Sequence, residues 1–136
     1  MSTSSFKRLP FACLSILMVW TLIDVLAHRL FLATLYASTP HLWRPFDQMN
    51  VALICTVTFG LIAIFVAAYE LLVRPKSLRA GLLLGLFLGL ALGTSVGFGT
   101  YIHAPIPLAL AWGWVIAGSI KGVAAGAILG ALVTEG

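Results

Sequence analysis

Two side chains of opposite charge stand where charge is expensive. Asp24 lies near the middle of one long apolar run and Lys121 near the middle of another. A charge inside a membrane span is rare, usually faces the interior of a helix bundle, and marks a functional position by default. Counted from the same membrane face at about 1.5 Å per residue, both sit roughly 18–22 Å up their helices. They are therefore level and able to pair, which would neutralise two charges that are costly to bury alone. Such a pair could be a structural tie between the first helix and the last. It could also be a relay or binding site for a proton or an ion. The remaining alternative is that the two do not meet.

His28 stands four residues after Asp24, so helical spacing projects both from one face, with Trp20 a turn below. His41 and His103 fall in connections on that same outer side. The simplest chemistry is structural, with Asp24 orienting His28 by a hydrogen bond. A carboxylate and imidazoles could also hold a transition metal or a haem iron, but the spacing matches no established metal signature, and no cofactor is assigned. Glu70 is expected to meet Arg74, four residues on. Asp47, at the mouth of the second helix, suits the positive end of a helix dipole and could pair with Arg44 or Arg29. Arg29 itself points away from His28 and can snorkel outward. There is no phosphate-binding glycine loop, HExxH, CxxC or nucleophile elbow, and Gly97-Phe98-Gly99 is too short to suggest a nucleotide site. Cys13 and Cys55 fall near opposite membrane faces, too far apart for a disulfide, and read as small apolar residues.

The elements that must position these residues follow from composition. Of 136 residues, 61% are apolar and 9% charged, against about half and about a quarter in soluble domains, so a water-soluble fold is excluded. The net charge of +4 does not build a nucleic-acid face, because the basic residues lie between apolar runs. A spanning helix needs about 20 mostly apolar residues. Four stretches qualify, at about 10–36, 49–73, 78–101 and 107–133, separated by proline-bearing breaks. Lipid cannot satisfy an open sheet edge, and the runs are continuous rather than alternating as a barrel requires. The predicted fold is a single all-α transmembrane domain, four helices in an up-down bundle.

Orientation follows from Lys and Arg near the helix ends. Lys7, Arg8, Arg74, Lys76 and Arg79 lie on one side and Arg44 on the other. Five against one puts both termini in the cytoplasm. Tyr36, Trp43 and Tyr101 then mark the outer interface and Tyr69 the inner one. The first stretch also carries a rival reading. Lys7 and Arg8 followed by an apolar core, with Val25-Leu26-Ala27 beyond, have the layout of a signal peptide. Against that, the apolar run continues through residue 35, long enough to span.

Gly81, Gly85, Gly89, Gly93 and Gly97 recur at every fourth position of the third stretch, and Gly118, Gly122, Gly126 and Gly130 do so in the fourth. In lipid, where no hydrophobic drive joins helices, such ladders permit close backbone approach and favour a right-handed crossing near −40°. They predict a tight hairpin of the last two helices, or alternatively a face for a second copy of the chain. Gly60, Ala63 and Ala67 give the second stretch a weaker small face, and the first two helices are expected to pack more loosely.

The layout resembles that of short four-helix proteins of the bacterial inner membrane. Four helices with an acidic residue in the first also resemble the plan of small multidrug transporters, but the rest of the sequence departs from their pattern and no residue is carried over. Three functions remain open. The first is a non-enzymatic subunit or scaffold that packs with itself or a larger membrane complex. The second is a small oligomeric transporter or channel using Asp24 and Lys121. The third is a membrane enzyme or redox protein using Asp24, His28 and His103.

Overall fold

The computed structural model describes residues 3–133, with side chains from residue 8 onward. Among the described residues the chain is helical, without strands. Four helices are long and apolar enough to cross a membrane, covering residues Arg8–Phe31, Val51–Leu72, Leu78–His103 and Leu108–Leu132. This is an integral membrane protein.

The first span begins in α1 (Thr3–Leu26), passes through a π turn (Ala27–Phe31) and is followed by a short α2 (Ala33–Ala37). The expected start at residue 10 is too late, because Pro10 lies inside the helix. Proline is tolerated in membrane helices, where neighbouring groups re-satisfy the freed carbonyl. Two 3₁₀ turns, Pro40–Leu42 and Phe46–Gln48, lead to α3 (Val51–Leu72). The Asn50 side chain starts α3 by accepting the Leu53 N–H at 3.0 Å. Ser77 does the same for α4 (Leu78–His103), accepting from Ala80 at 3.1 Å. The helix α4 stops before Pro105, whose ring disfavours helical backbone at Ala104. After this break comes α5 (Leu108–Leu132).

The ladders of α4 and α5 face each other within one chain. A methyl group placed on Gly89 would stand 2.7 Å from the Gly118 carbonyl oxygen, and one on Gly97 would stand 2.5 Å from that of Ala111. Gly81 and Gly85 likewise meet the backbone of Gly126 and Gly122, while Gly93 meets Val115 and Gly130 meets Leu78. As the contacts climb α4 they descend α5. No side chain fits between, so the two backbones touch directly.

Helix α3 packs differently. It buries Ile62, Phe65 and Tyr69 against Ala12, Ile16, Trp20, Ala125 and Leu129. Nothing lies within 4 Å of a side chain added at Gly60, and Ala63 and Ala67 are exposed, so the small face turns outward. Tyr69 is fully buried and is not the interfacial anchor expected. A second core of Leu32, Ile106, Leu110 and Ala111 closes the other end of the molecule. Along α1 and α5, Asp24 and Lys121 fall between these two cores.

Candidate functional site

The Lys121 ammonium lies 2.9 Å from Oδ1 and 2.7 Å from Oδ2 of Asp24, donating to both carboxylate oxygens. Charge-assisted bonds of this length are among the strong ones. The ammonium also stands 4.9 Å over the centre of the Trp20 ring. Trp20 is held in turn by its indole N–H, which donates to the Lys121 carbonyl at 2.8 Å, and by an edge contact on Phe65. One residue of α5 is thus gripped at both its backbone and its side chain by two successive turns of α1.

His28 Nε2 is 3.9 Å from Asp24 Oδ1, too long for a direct hydrogen bond. Its Nδ1 lies 2.6 Å from the Tyr36 hydroxyl, which also accepts the Trp114 indole N–H at 2.6 Å. Tryptophan can only donate. The Tyr36 proton therefore has one acceptor among the described residues, His28 Nδ1. When that bond forms, a neutral His28 ring carries its proton on Nε2, on the Asp24 side.

The π turn makes this arrangement possible. Leu32 N–H bonds five residues back to Ala27 at 2.8 Å, which inserts one extra residue into the helix. Beyond it, Leu32 packs on Gly113 and Tyr36 reaches Trp114. Trp43 closes the cluster, edge-on to both Tyr36 and Trp114.

These groups line a cavity of about 320 Å³, walled further by Leu61, Phe65, Leu92 and Val96 and floored by the glycine seam of α4 and α5. Leu92 and Val96 are themselves exposed, as is nearly all of α3 from Val51 to Gly60. The cavity thus opens on its apolar side, between α4 and the N-terminal half of α3. The Asp24 and His28 side chains keep 41% and 40% of their exposure, and Lys121 keeps 22%. No protein family, curated protein or solved structure matches this chain.

The other polar residues lie elsewhere. His103 is exposed with its ring nitrogen 2.8 Å from the Gly99 carbonyl, and His41 is exposed on the first 3₁₀ turn. Among the described residues no three His, Cys, Asp or Glu side chains form a group able to hold a metal. The Glu70 carboxylate binds Lys76 at 2.6 Å rather than Arg74. The four-residue rule requires a continuing helix, and α3 ends at Leu72. The Arg29 guanidinium covers the Phe46 ring at 4.9 Å, and no ion pair joins Asp47 to Arg29 or Arg44 among the described residues. Both cysteines are free.

Sequence reasoning missed Trp114 and the role of Tyr36. Trp114 lies seven residues before Lys121, two turns along one face, and that spacing was a readable signal. Tyr36 was not readable in this way, because the π turn shifts its face.

Proposed function

We propose that this chain is a small binding or carrier protein of the membrane, and that its ligand site is the cavity at Asp24 and Lys121. The observation that carries this reading is the coincidence of a compensated ion pair at mid-span with an apolar cavity. Convergent polar groups in such a cavity are the default binding site. Four helices make a thin wall for a conduit, so translocation would require an oligomer. The glycine ladders offer no face for it, since each is consumed by the other within the chain. The N-terminal half of α3, exposed from Val51 to Val57, favours a second reading as a subunit of a larger membrane complex.

The Lys and Arg asymmetry supports an up-down bundle with both termini in the cytoplasm of a bacterial inner membrane. A reporter fused after residue 136 should then be active as a cytoplasmic fusion, and activity in the periplasm would refute this topology. The binding reading predicts a small molecule that leaves the membrane with the protein. Native mass spectrometry from mild detergent should find it on the wild type and not on Val96→Trp, whose indole would cover the mouth. Equal adducts on both proteins would defeat the reading.

A further inference from the structure

We infer that the cavity takes an uncharged, lipid-borne molecule whose planar ring carries a carbonyl oxygen, a quinone-type head group, and that His28 Nε2–H is its hydrogen-bond donor. This rests on the reading of the cavity as a binding site. Three observations narrow the ligand.

The first is charge. Lys121 gives hydrogen bonds to both oxygens of Asp24, so the two charges cancel at contact distance. An anion would have to displace Asp24 from Lys121, and a cation would have to displace Lys121 from Asp24. Either exchange strands a charge deep in the membrane. A neutral guest disturbs neither.

The second is the unused donor. Trp114 donates to Tyr36, and the Tyr36 hydroxyl lies 2.6 Å from His28 Nδ1, to which it donates when the neutral ring carries its proton on Nε2. His28 Nε2–H therefore carries a proton whose closest acidic neighbour, Asp24 Oδ1, is 3.9 Å away. His28 lines the cavity with Nε2 making no hydrogen bond within the described residues, and a carbonyl oxygen supplies the acceptor. The donor is aimed in advance, because Tyr36 and Trp114 fix the ring.

The third is shape and access. The indoles of Trp20 and Trp114 line the cavity and Phe65 backs it, over a glycine seam that projects no side chains. Flat surfaces of this kind suit a ring. At about 320 Å³ the space lies at the low end for ligand pockets, enough for a head group and not for a long tail. The apolar mouth beside Leu92 and Val96 leaves a tail in the bilayer.

The test uses the full chain in dodecyl maltoside, with thermal unfolding followed by circular dichroism and four probes of similar chain length. They are decylubiquinone, dodecylbenzene, dodecanoate and dodecyltrimethylammonium. Decylubiquinone should raise the unfolding midpoint saturably, by about 5–10 °C, and the other three by much less. His28→Phe keeps the ring volume and removes the donor, so half-saturation should need at least about tenfold more decylubiquinone. An equal shift from dodecylbenzene would overturn the carbonyl, and a larger shift from either ionic probe would overturn the neutral guest. In those cases loss of the shift in Val96→Trp would leave the cavity as a binding site for another class. Absence of any shift, together with equal native adducts on the wild type and Val96→Trp, would sink both the ligand class and the site.

Discussion

Tyr36 shows how much a single hydroxyl can organise. It accepts from Trp114 and reaches His28, each at 2.6 Å, and so decides which nitrogen of His28 faces Asp24. Tyr36→Phe keeps the aromatic packing on Trp43 but leaves the Trp114 N–H and His28 Nδ1 without partners. Leaving such groups unsatisfied costs about 1–3 kcal/mol. Reversible unfolding of Tyr36→Phe should show a loss in that range, whereas Tyr101→Phe, at an exposed position, should be near neutral. Equal stability of both variants would mean that the hydroxyl orients nothing. At this scale the sequence was partly legible. Asp24 and Lys121 could be matched by depth alone, since Asp24 is the one acidic residue of its apolar run and Lys121 the one charged residue of its own. Lys76 was hidden as the partner of Glu70, because a pair that spans a helix end obeys no helical spacing.

Among the elements, α4 and α5 were the most readable. A ladder of glycine at every fourth position has little purpose in a helix except close approach, and here the backbones meet along it. The same geometry predicts which glycines tolerate a side chain. Gly89→Leu would drive its side chain into the α5 backbone at Gly118 and Gly122. Overpacking of this kind costs about 1–3 kcal/mol, and more where backbone must move. Gly60 and Gly99 have nothing within 4 Å of an added Cβ. Gly60→Leu and Gly99→Leu should therefore be neutral or slightly stabilising, since glycine weakens a helix by about 1 kcal/mol relative to better helix formers. Unfolding measurements in which all three variants lose the same stability would show that the ladder contact is absent. The π turn of the first span was not legible. It depends on where Leu32 and Tyr36 find partners in α5, and no local pattern in Ala27–Phe31 encodes that.

For the whole molecule, the number of spans follows from four apolar runs and the breaks between them. The cavity does not follow from them. It exists because α3 joins the bundle through its C-terminal half, with Ile62, Phe65 and Tyr69 buried and Leu61 and Val66 packed beside them, leaving its N-terminal half largely exposed. Beside that opening the first and last helices are joined by Asp24 and Lys121, 97 residues apart in the chain. This bond carries the account, because the site and its neutrality both depend on it. A double-mutant cycle on unfolding free energy in detergent tests it most directly. Asp24→Asn and Lys121→Gln should each cost about 2–4 kcal/mol, since each strands a charge that is expensive in lipid. The double variant strands none and should fall short of their sum by at least about 1 kcal/mol. Single losses that simply add would contradict the account, for they would show that Asp24 and Lys121 are not partners.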